Sequence, residues 1–397
     1  MKAIFHNLCF KLIAIVLAVS NLFGASTAWF QADKSDWKTN YTYVFVHGLS
    51  GWGSYDFVYK LMPYWGMFGG DLMQYLNDKG FHAVCASVSG NGSAWDRACE
   101  LYAELAGTRV DYGKAHSERC GHERYGTDYT GRALVKSFSE TDKINLLGHS
   151  FGGATVRLFA SIMAVGSEEE QKATPADELS DYFKGGKGGW IYSLTSLAAP
   201  HNGTSAYSQD DAPEAVAEAE KDIPLFELQL QDLMMTATSR PLDNRIEEDY
   251  ADYDMYIDNA IAMNDTIATL PDTYYFSYAC SCTEQQADGT WKPIKSEMEF
   301  LFYSPSQLIG QCTGVTKGGY VVDEAWLEND GLVNTISAKA PFGAPQKDYD
   351  PDNVATGIWN IMPIYHGDHM SLQGGMLHPN DVKDLYVEHL SRINCLG

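Results

Sequence analysis

Short apolar runs and amphipathic segments alternate along most of the chain. Five runs rich in β-branched and aromatic residues are typical of buried strands in a parallel sheet. They cover residues 43–46, 81–86, 144–147, 191–197 and 274–278. Helical spacing of apolar positions recurs over residues 71–79, 95–106, 153–165 and 380–393. The alternation predicts an α/β fold, with a mostly parallel sheet covered by helices on both faces.

The first 28 residues have the pattern of a secretory signal peptide. Lys2 and Lys11 precede and flank an apolar core over residues 12–19, and Ser26 and Ala28 fit the small positions before a cleavage site. The core is too short to span a bilayer as a helix, although an uncleaved anchor stays open as the alternative. We therefore expect a secreted protein, extracellular or, in a Gram-negative source, periplasmic.

The chain is strongly acidic, with a formal net charge of −24, and removing Lys2 and Lys11 takes it to −26. Such a surface repels phosphate backbones and anionic headgroups, so we expect no nucleic-acid partner and no stable membrane anchoring. Neutral substrates fit better. Of eight cysteines, seven follow the signal segment, an odd number that cannot all pair. Pairing of Cys280 with Cys312 or Cys395 is one option that the sequence leaves open.

The most informative motif is Gly148-His149-Ser150-Phe151-Gly152, which lies between a predicted strand and a predicted helix. A serine at such a sharp turn projects its hydroxyl beyond the sheet, and the flanking glycines let strand and helix approach closely. This is the pattern of the nucleophile elbow of an α/β-hydrolase fold. It predicts Ser150 as a catalytic nucleophile in ester hydrolysis.

In this fold an acid and a histidine follow the nucleophile in chain order. Asp330 lies in the turn signal Asn329-Asp330-Gly331, and His369 lies in a short segment before the last predicted helix. The base must reach the serine, and a buried carboxylate must orient the base. From spacing alone, Asp330 could be an ordinary turn aspartate. The rivals of His369 are the other histidines that follow Ser150, namely His201, His366 and His378.

Hydrolysis also needs backbone N–H donors for the oxyanion. They usually come from the residue after the nucleophile and from the loop after an early strand. Phe151 and Leu49 occupy these places, since His47-Gly48-Leu49 directly follows the first predicted strand.

Two stretches interrupt the strand and helix rhythm, so we expect one hydrolase domain over residues 29–397 with insertions at about 96–129 and 203–272. The second is expected to form a cap beside the active site. It contains an apolar patch at 225–235 and an acidic run at 247–258. We interpret the acidic run as a solvated surface, because its carboxylates lack the spacing of a calcium loop.

Several long motifs resemble secreted lipases of the thermophilic Bacillus and staphylococcal type. The resemblance covers nearly the whole mature chain, in matching order. The motifs are His47-Gly48-Leu49-Ser50-Gly51-Trp52-Gly53, Tyr64-Trp65-Gly66, Trp95-Asp96-Arg97-Ala98-Cys99-Glu100, Val110-Asp111-Tyr112-Gly113, Ala199-Pro200-His201-Asn202-Gly203-Thr204 and residues 329–335. It implies triacylglycerol lipase or carboxylesterase activity, with a triad of Ser150, Asp330 and His369.

The same resemblance implies a structural zinc site. Asp96, His116 and His122 match three of the family's four ligands with the same intervals of 20 and 6 residues. Asp232 is our choice for the fourth ligand, and Cys120 is a plausible substitute as a thiolate. We expect the zinc to pin residues 96–129, which lack a convincing apolar core of their own, to the cap.

The family's calcium site is not expected here. Ser371 stands where the family has a glutamate, and His378-Pro379 stands near the place of its Asp-Pro pair. Because calcium needs several hard oxygen ligands, losing both carboxylates removes the charge that holds it.

The sequence therefore predicts a secreted serine ester hydrolase that acts through an acyl-enzyme on Ser150. Acylglycerols and short- or medium-chain esters are the expected substrates. A polyesterase with an open cleft is the alternative within that class. A catalytically silent binding protein on a hydrolase fold is the alternative from another class, because a fold does not guarantee activity.

Overall fold

A computed structural model describes residues 34–207, 217, 220–229, 231, 245–377 and 381–397. Its central feature is a seven-stranded sheet in which neighbouring strands are parallel. The strands are β1 (Thr42–Val46), β2 (Ala83–Ala86), β3 (Ile144–His149), β4 (Ile191–Leu197), β5 (Tyr274–Tyr278), β6 (Gln346–Asp348) and β7 (Trp359–Ile361). Their order across the sheet is β6-β7-β5-β4-β3-β1-β2.

Helices and short hairpins connect the strands. The helices among the described residues are α1 (Leu72–Asp78), α2 (Ala94–Ala106), α3 (Lys114–Cys120), α4 (Phe151–Val165), α5 (Glu168–Ala173), α6 (Ala251–Met255), α7 (Ile257–Asn264), α8 (Tyr303–Ile309), α9 (Thr335–Lys339) and α10 (Asp381–Asn394). Outside the main sheet, four two-stranded ladders pair Arg109–Asp111 with Tyr125–Asp128, Cys280–Ser281 with Tyr365–His366, Thr283–Gln285 with Trp291–Pro293, and Gly314–Val315 with Val321–Val322. Across the described ranges, no helix is long and apolar enough to cross a membrane.

Side-chain alternation in β1 explains why helices cover both faces of the sheet. Val44 and Val46 point into one apolar cluster, which also holds residues of α2 and α4. Tyr43 and Phe45 point into a second cluster, which holds residues of α1 and α10. Both clusters are fully buried around the strand, so each face contributes hydrophobic stabilisation. The predicted α/β fold is confirmed.

The register of the central strands positions two loops side by side. Val46 at the end of β1 lies opposite Gly148 of β3, and Gly148 lies opposite Ser196 of β4. Because the strands are parallel, the segments that leave their carboxyl ends emerge at the same edge of the sheet. This is the edge at which ligands bind in open α/β sheets.

Two expectations about the insertions and cysteines are wrong. Residues 96–129 do have an apolar core, because Leu101, Leu105, Val110 and Tyr129 are buried in the same cluster as Val44. None of the seven described cysteines forms a disulfide, so the pairing of Cys280 with Cys312 or Cys395 that the sequence left open is not made. Burial raises the pKa of thiols such as Cys282 and Cys312, to about 12 and about 11, and so disfavours their thiolate forms.

Candidate active site

Ser150 occupies a strained turn between β3 and α4. Its φ of +54° and ψ of −129° are rare for a residue with a side chain. The flanking glycines make the turn possible: a Cβ on Gly148 would lie 2.3 Å from the carbonyl oxygen of Gly152. A Cβ on Gly152 would lie 2.3 Å from that of Val46. The expected order of strand, sharp turn and helix is therefore present, and its strain falls on Ser150.

The structure brings together Ser150, His369 and Asp330. His369 Nε2 lies 2.8 Å from Ser150 Oγ, and His369 Nδ1 lies 2.8 Å from Asp330 Oδ2. Because an ionised carboxylate only accepts hydrogen bonds, Nδ1–H donates to Asp330 and Nε2 is left to accept from the serine hydroxyl. This is the arrangement that a general base needs.

Asp330 is held in place by the turn that contains it. Its side chain is fully buried, and its second oxygen, Oδ1, accepts the backbone N–H groups of Leu332 and Val333 at 3.0 and 2.8 Å. The backbone N–H of His369 donates to the Asp330 carbonyl at 2.8 Å. Both side-chain oxygens are satisfied, so the carboxylate has one orientation toward the imidazole.

The rival histidines do not reach the serine. His201 is buried, bonds to Ser196 Oγ at 2.8 Å and packs against Trp359. Burial and the charge of Arg157 hold the pKa of His201 well below its usual value. His366 is exposed in the short ladder with residues 280–281. His378 lies outside the described residues.

The loop after β1 packs directly on Ser150. A Cβ on Gly48 would lie 2.8 Å from Ser150 Cβ, so only glycine fits there. Leu49 lines the cavity beside Ser150. Phe151 is the first residue of α4, and the first N–H groups of a helix have no acceptor within the helix. The two expected oxyanion donors therefore flank the serine.

A buried arginine braces this loop. Arg97, from α2, is fully buried and donates to the carbonyl oxygens of His47 and Gly48, and to that of Ser89 at 2.8 Å. With these carbonyls turned toward the guanidinium, the loop backbone is fixed on the side away from the cavity. Arg97 falls within one of the motifs quoted above, but no role for it was predicted from the sequence.

A cavity of about 260 Å³ opens above Ser150. Its lining is mostly apolar and comes from several loops, including the stretch that was expected to form a cap. The lining residues are Leu49, Ser50, Trp52, Tyr64, Met67, His149, Ser150, Thr204, Ala206, Tyr207, Gln231, Met255, Phe302, Pro305, Leu332, Val333, His369 and Met370. Such a mostly apolar pocket with a few polar groups suits an acyl chain.

A second cluster of imidazoles and carboxylates lies where Asp96 of α2 meets α3 and the segment before α6. His116 Nε2 lies 3.1 Å from Asp96 Oδ1 and 3.2 Å from Asp249 Oδ1. His122 Nε2 lies 3.7 Å from Asp96 Oδ1 and 3.5 Å from Asp249 Oδ2. We call these four residues the metal cluster.

The residues of the metal cluster fit a tetrahedral zinc ion. Ligand atoms around such an ion lie roughly 3.3 Å from one another, given metal–ligand distances of about 2.0–2.1 Å. The four measured separations bracket that value. His122 Nε2 is buried and has no hydrogen-bond partner in the protein, so it is free to ligate. Two carboxylates and two imidazoles also suit zinc chemically.

The electrostatics of the cluster favour positive charge. Burial lowers the pKa of His116, but hydrogen bonds to Asp249 and Asp96 outweigh burial and raise it to about 11. Burial disfavours the charge on Asp249, yet His116 and His122 hold its pKa below the usual value. Arg245 adds a cation 3.4 Å from Asp96 and 3.3 Å from Asp249.

One carboxylate of the metal cluster, Asp249, was not predicted from the sequence. Asp249 lies in the acidic run that we interpreted as solvated surface, yet it is fully buried. It follows His116 by 133 residues, so no local spacing points to it. Asp232, our choice, lies outside the described residues. Cys120, the substitute considered from the sequence, is close as well: its Sγ lies 3.7 Å from His116 Nδ1, and Sγ and one ligand atom each of His116, His122 and Asp249 all lie within 4.8 Å of one another.

The region that corresponds to the family's calcium site is knit together by hydrogen bonds. Ser371 Oγ donates to Asp368 Oδ1 at 2.8 Å, and the Glu299 backbone N–H donates to Asp368 Oδ2 at 2.7 Å. Burial raises the pKa of Asp368, and these donors partly offset that effect. His378 and Pro379 lie outside the described residues.

A family model described as "Lipase-like, C-terminal domain" matches residues 39–226 and 242–385. Lipase 1 of Staphylococcus aureus is 31% identical over 365 residues, which are 86% of this chain and 52% of that protein. The chain thus spans about half the length of the curated relatives it matches.

Two solved structures are similar to this chain over nearly their full length. The structure of EstA from Clostridium botulinum has a TM-score of 0.78 at 30% identity and covers 96% of this chain and 94% of its own. The Staphylococcus hyicus lipase has a TM-score of 0.71 at 28% identity and covers 92% of this chain and 98% of its own.

Proposed function

This chain belongs to the family described as "Lipase-like, C-terminal domain", and we propose that it hydrolyses carboxylic esters through an acyl-enzyme on Ser150. The observation that carries the proposal is the continuous contact from Ser150 Oγ through the His369 ring to the Asp330 carboxylate, at 2.8 Å each. Its position beneath a largely apolar cavity supports ester chemistry.

In the first half-reaction, Ser150 Oγ attacks the ester carbonyl carbon while its proton passes to His369 Nε2. Collapse of the tetrahedral intermediate breaks the carbon–oxygen bond to the alcohol, which leaves with that proton. In the second half-reaction, water attacks the acyl carbon and gives a proton to His369 Nε2. Collapse of the second tetrahedral intermediate breaks the bond to Ser150 Oγ, which takes that proton from His369, and the carboxylic acid is released. Asp330 keeps the imidazole in the required tautomer and stabilises the imidazolium in both steps.

The developing oxyanion is assigned to the backbone N–H groups of Leu49 and Phe151. Preformed donors in a site that excludes bulk water are worth about 2.7–4 kcal/mol each in comparable enzymes. Arg97 contributes indirectly, because its hydrogen bonds to the carbonyls of His47 and Gly48 restrict the loop that carries Leu49.

The proposed substrates are neutral esters, namely acylglycerols and short- or medium-chain alkyl esters. Two features support this class. The cavity is lined mainly by aromatic and aliphatic side chains such as Trp52, Phe302 and Leu332. The net charge of −24 disfavours polyanionic substrates. We further propose that the protein acts outside the cell after loss of residues 1–28.

We also propose that Asp96, His116, His122 and Asp249 hold a structural zinc ion. Zinc in such a site supplies cross-linking and charge neutralisation rather than catalysis, because four protein ligands leave no open position. The cluster joins α2, α3 with the residues that follow it, and the segment before α6, which are distant in sequence. No calcium is proposed beside Ser371.

A direct assay tests the proposed activity. Purified wild type should hydrolyse p-nitrophenyl butyrate, and Ser150→Ala should lose at least about 10⁴-fold in kcat. The matched control is Ser139→Ala, in a loop before β3, where only Thr141 and the backbone of Asp142 contact the hydroxyl. Wild-type turnover no faster than that of Ser150→Ala would favour a catalytically silent binding protein.

A further inference from the structure

His149 immediately precedes Ser150 and has a defined tautomer. Its side chain is buried, with Nε2 2.8 Å from the carbonyl oxygen of His369 and Nδ1 2.7 Å from the Tyr64 hydroxyl. A carbonyl oxygen can only accept, so Nε2 must carry the hydrogen. Burial, with the nearby His369, lowers the pKa of His149 to about 3, so the ring is neutral and Nδ1 is an acceptor.

Tyr64 continues the chain of hydrogen bonds to the other side of the site. Since Nδ1 of His149 accepts, the Tyr64 hydroxyl donates to it. The same oxygen accepts the backbone N–H of Gly48 at 3.1 Å. The direction is therefore the same throughout: Gly48 N–H to Tyr64, Tyr64 O–H to His149, and His149 Nε2–H to the His369 carbonyl. Every donor meets one acceptor.

Both ends of this series of hydrogen bonds are backbone groups in the two loops on either side of Ser150. Gly48 precedes Leu49 in the oxyanion loop, and the carbonyl belongs to the proposed general base itself. The two loops lie far apart in sequence, and the chain also passes through the residue next to the nucleophile. A buried histidine with a purely structural role needs a hydrogen-bond partner for each ring nitrogen, but those partners need not connect three separate parts of the site.

We propose that Tyr64 and His149 are positioning residues, which set the oxyanion loop and the His369 loop at a fixed separation around Ser150. The inference rests on the proposed ester hydrolysis at Ser150. Neither side chain exchanges a proton with substrate. Their effect is on geometry, where a displacement of about 1 Å can cost on the order of 100-fold in rate.

The chain offers matched variants that separate positioning from packing. Tyr64→Phe removes one hydroxyl and keeps the ring. His149→Leu removes both bonds at similar volume. His149→Gln retains an acceptor for Tyr64 and a donor for the His369 carbonyl, so it should rescue most of the rate. The measurements are kcat and KM with p-nitrophenyl butyrate, together with the melting temperature of each variant.

We expect kcat to fall about 10- to 100-fold in Tyr64→Phe and in His149→Leu, with KM changed less than about threefold. His149→Gln should stay within about fivefold of wild type. The double variant Tyr64→Phe with His149→Leu should lose little more than the poorer single variant, because both break the same chain.

Three results would overturn the inference: a kcat within twofold of wild type in both Tyr64→Phe and His149→Leu, losses confined to KM, or a glutamine variant no better than leucine. If His149→Leu does not fold, Tyr64→Phe alone decides, since it deletes a single atom. Wild type without Ser150-dependent turnover would instead overturn the proposed function, and this inference with it.

Discussion

The proposed catalytic site and the metal cluster both combine histidine with aspartate, but they differ in how completely these side chains are paired by hydrogen bonds. In the catalytic site one imidazole lies between one carboxylate and one hydroxyl, and each ring nitrogen has its partner. In the metal cluster two imidazoles face two carboxylates, and His122 Nε2 is buried without a partner. The complete pairing fits proton transfer, whereas the metal cluster keeps one buried imidazole nitrogen available as a metal ligand beside two carboxylates.

The surroundings of the two sites also differ, in whether a substrate can reach the side chains. Ser150 and His369 open into the cavity, so a substrate can reach them. In the metal cluster the ring of Trp95 stacks on His116 at 5.2 Å, and Tyr112 packs edge-on against His122 at the same distance. The aromatic cover leaves the cluster enclosed. One site is therefore suited to turnover and the other to holding the chain together.

Covalent neighbours link the two sites. Asp96 is followed on α2 by Arg97, which braces the oxyanion loop. Asp249 is followed by α6, whose last residue, Met255, lines the cavity. A zinc ion held by the metal cluster would therefore fix segments that shape the proposed catalytic site, without entering the chemistry.

The largest effect is expected at the carboxylate of the catalytic site. Asp330→Asn should lower kcat by about 10⁴-fold, because an amide favours the wrong tautomer of His369. The melting temperature should change little, since Asn can still accept the N–H groups of Leu332 and Val333. Steady-state kinetics checks this, with the exposed Asp272→Asn as control. A loss below about tenfold would contradict the role of Asp330.

The matching change in the metal cluster should affect stability instead. Freshly purified protein should contain about one zinc per chain by elemental analysis, and chelation should lower its melting temperature by several degrees. Initial rates at low temperature should stay within a fewfold of wild type, because the ion is not in the cavity. His116→Ala should reproduce both results.

The exposed His82→Ala is the control for that variant and should retain full metal content. If the purified protein contains no zinc and chelators do not change its melting temperature, the cluster has no metal-binding role, and the proposed contrast with the catalytic site is wrong. That result would leave Arg245 and a protonated His116 as the cations that balance Asp96 and Asp249.

A smaller effect should come from helix α2, which carries Asp96 at one end and Glu104 at the other. Burial, with the charge of Glu100 adding, raises the pKa of Glu104 to about 8, although the Ser87 N–H opposes the shift. Because the folded-state pKa is raised, the stability from proton uptake is present at about pH 4 and is lost as pH rises through about 8. Glu104→Gln should flatten this loss by at least about 1 kcal/mol.

Denaturant unfolding at pH 5 and pH 9 measures that difference. The exposed Glu284→Gln serves as control and should keep the wild-type slope. An identical pH dependence in Glu104→Gln and wild type would show that Glu104 does not take up a proton in this range.

The smallest effect concerns access to the cavity. Residues 210–222 are dominated by Asp, Glu and Ala. They offer little apolar area to exchange for contact with oil, so rates should rise only slightly when a soluble ester passes its solubility limit. Titration across that limit checks this. A sharp rise would show that a lipid-responsive lid exists, with Leu225 and Phe226 as the exposed apolar side chains to replace first.

The parts that could be predicted from sequence are those with local signals. The long apolar runs located β1 to β5, and the pentapeptide located the turn at Ser150. The short strands β6 and β7 were missed, because three residues give no usable period and β6 reads Gln-Lys-Asp at the sheet edge. Asp249 was missed because its burial depends on a contact with α3 that no local pattern encodes.

The series of hydrogen bonds through Tyr64 and His149 could not be predicted from the sequence either. Tyr64 and His149 fell within quoted motifs, but their bond, and its ends at Gly48 and His369, depend on how three loops meet at one edge of the sheet. The place of the loop that carries Leu49 follows from the order of elements in this fold. That order left several histidines open for the triad, and Asp330 and His369 were chosen through the family resemblance.

Covalent trapping of the nucleophile tests the central claim most directly. A fluorophosphonate should phosphonylate Ser150 Oγ with release of fluoride, since the probe mimics the tetrahedral intermediate. Digestion and mass spectrometry should find about one adduct per chain, confined to Ser150, with loss of esterase activity in proportion and no adduct in Ser150→Ala. An adduct on another residue, or full inactivation with Ser150 unmodified, would contradict the account.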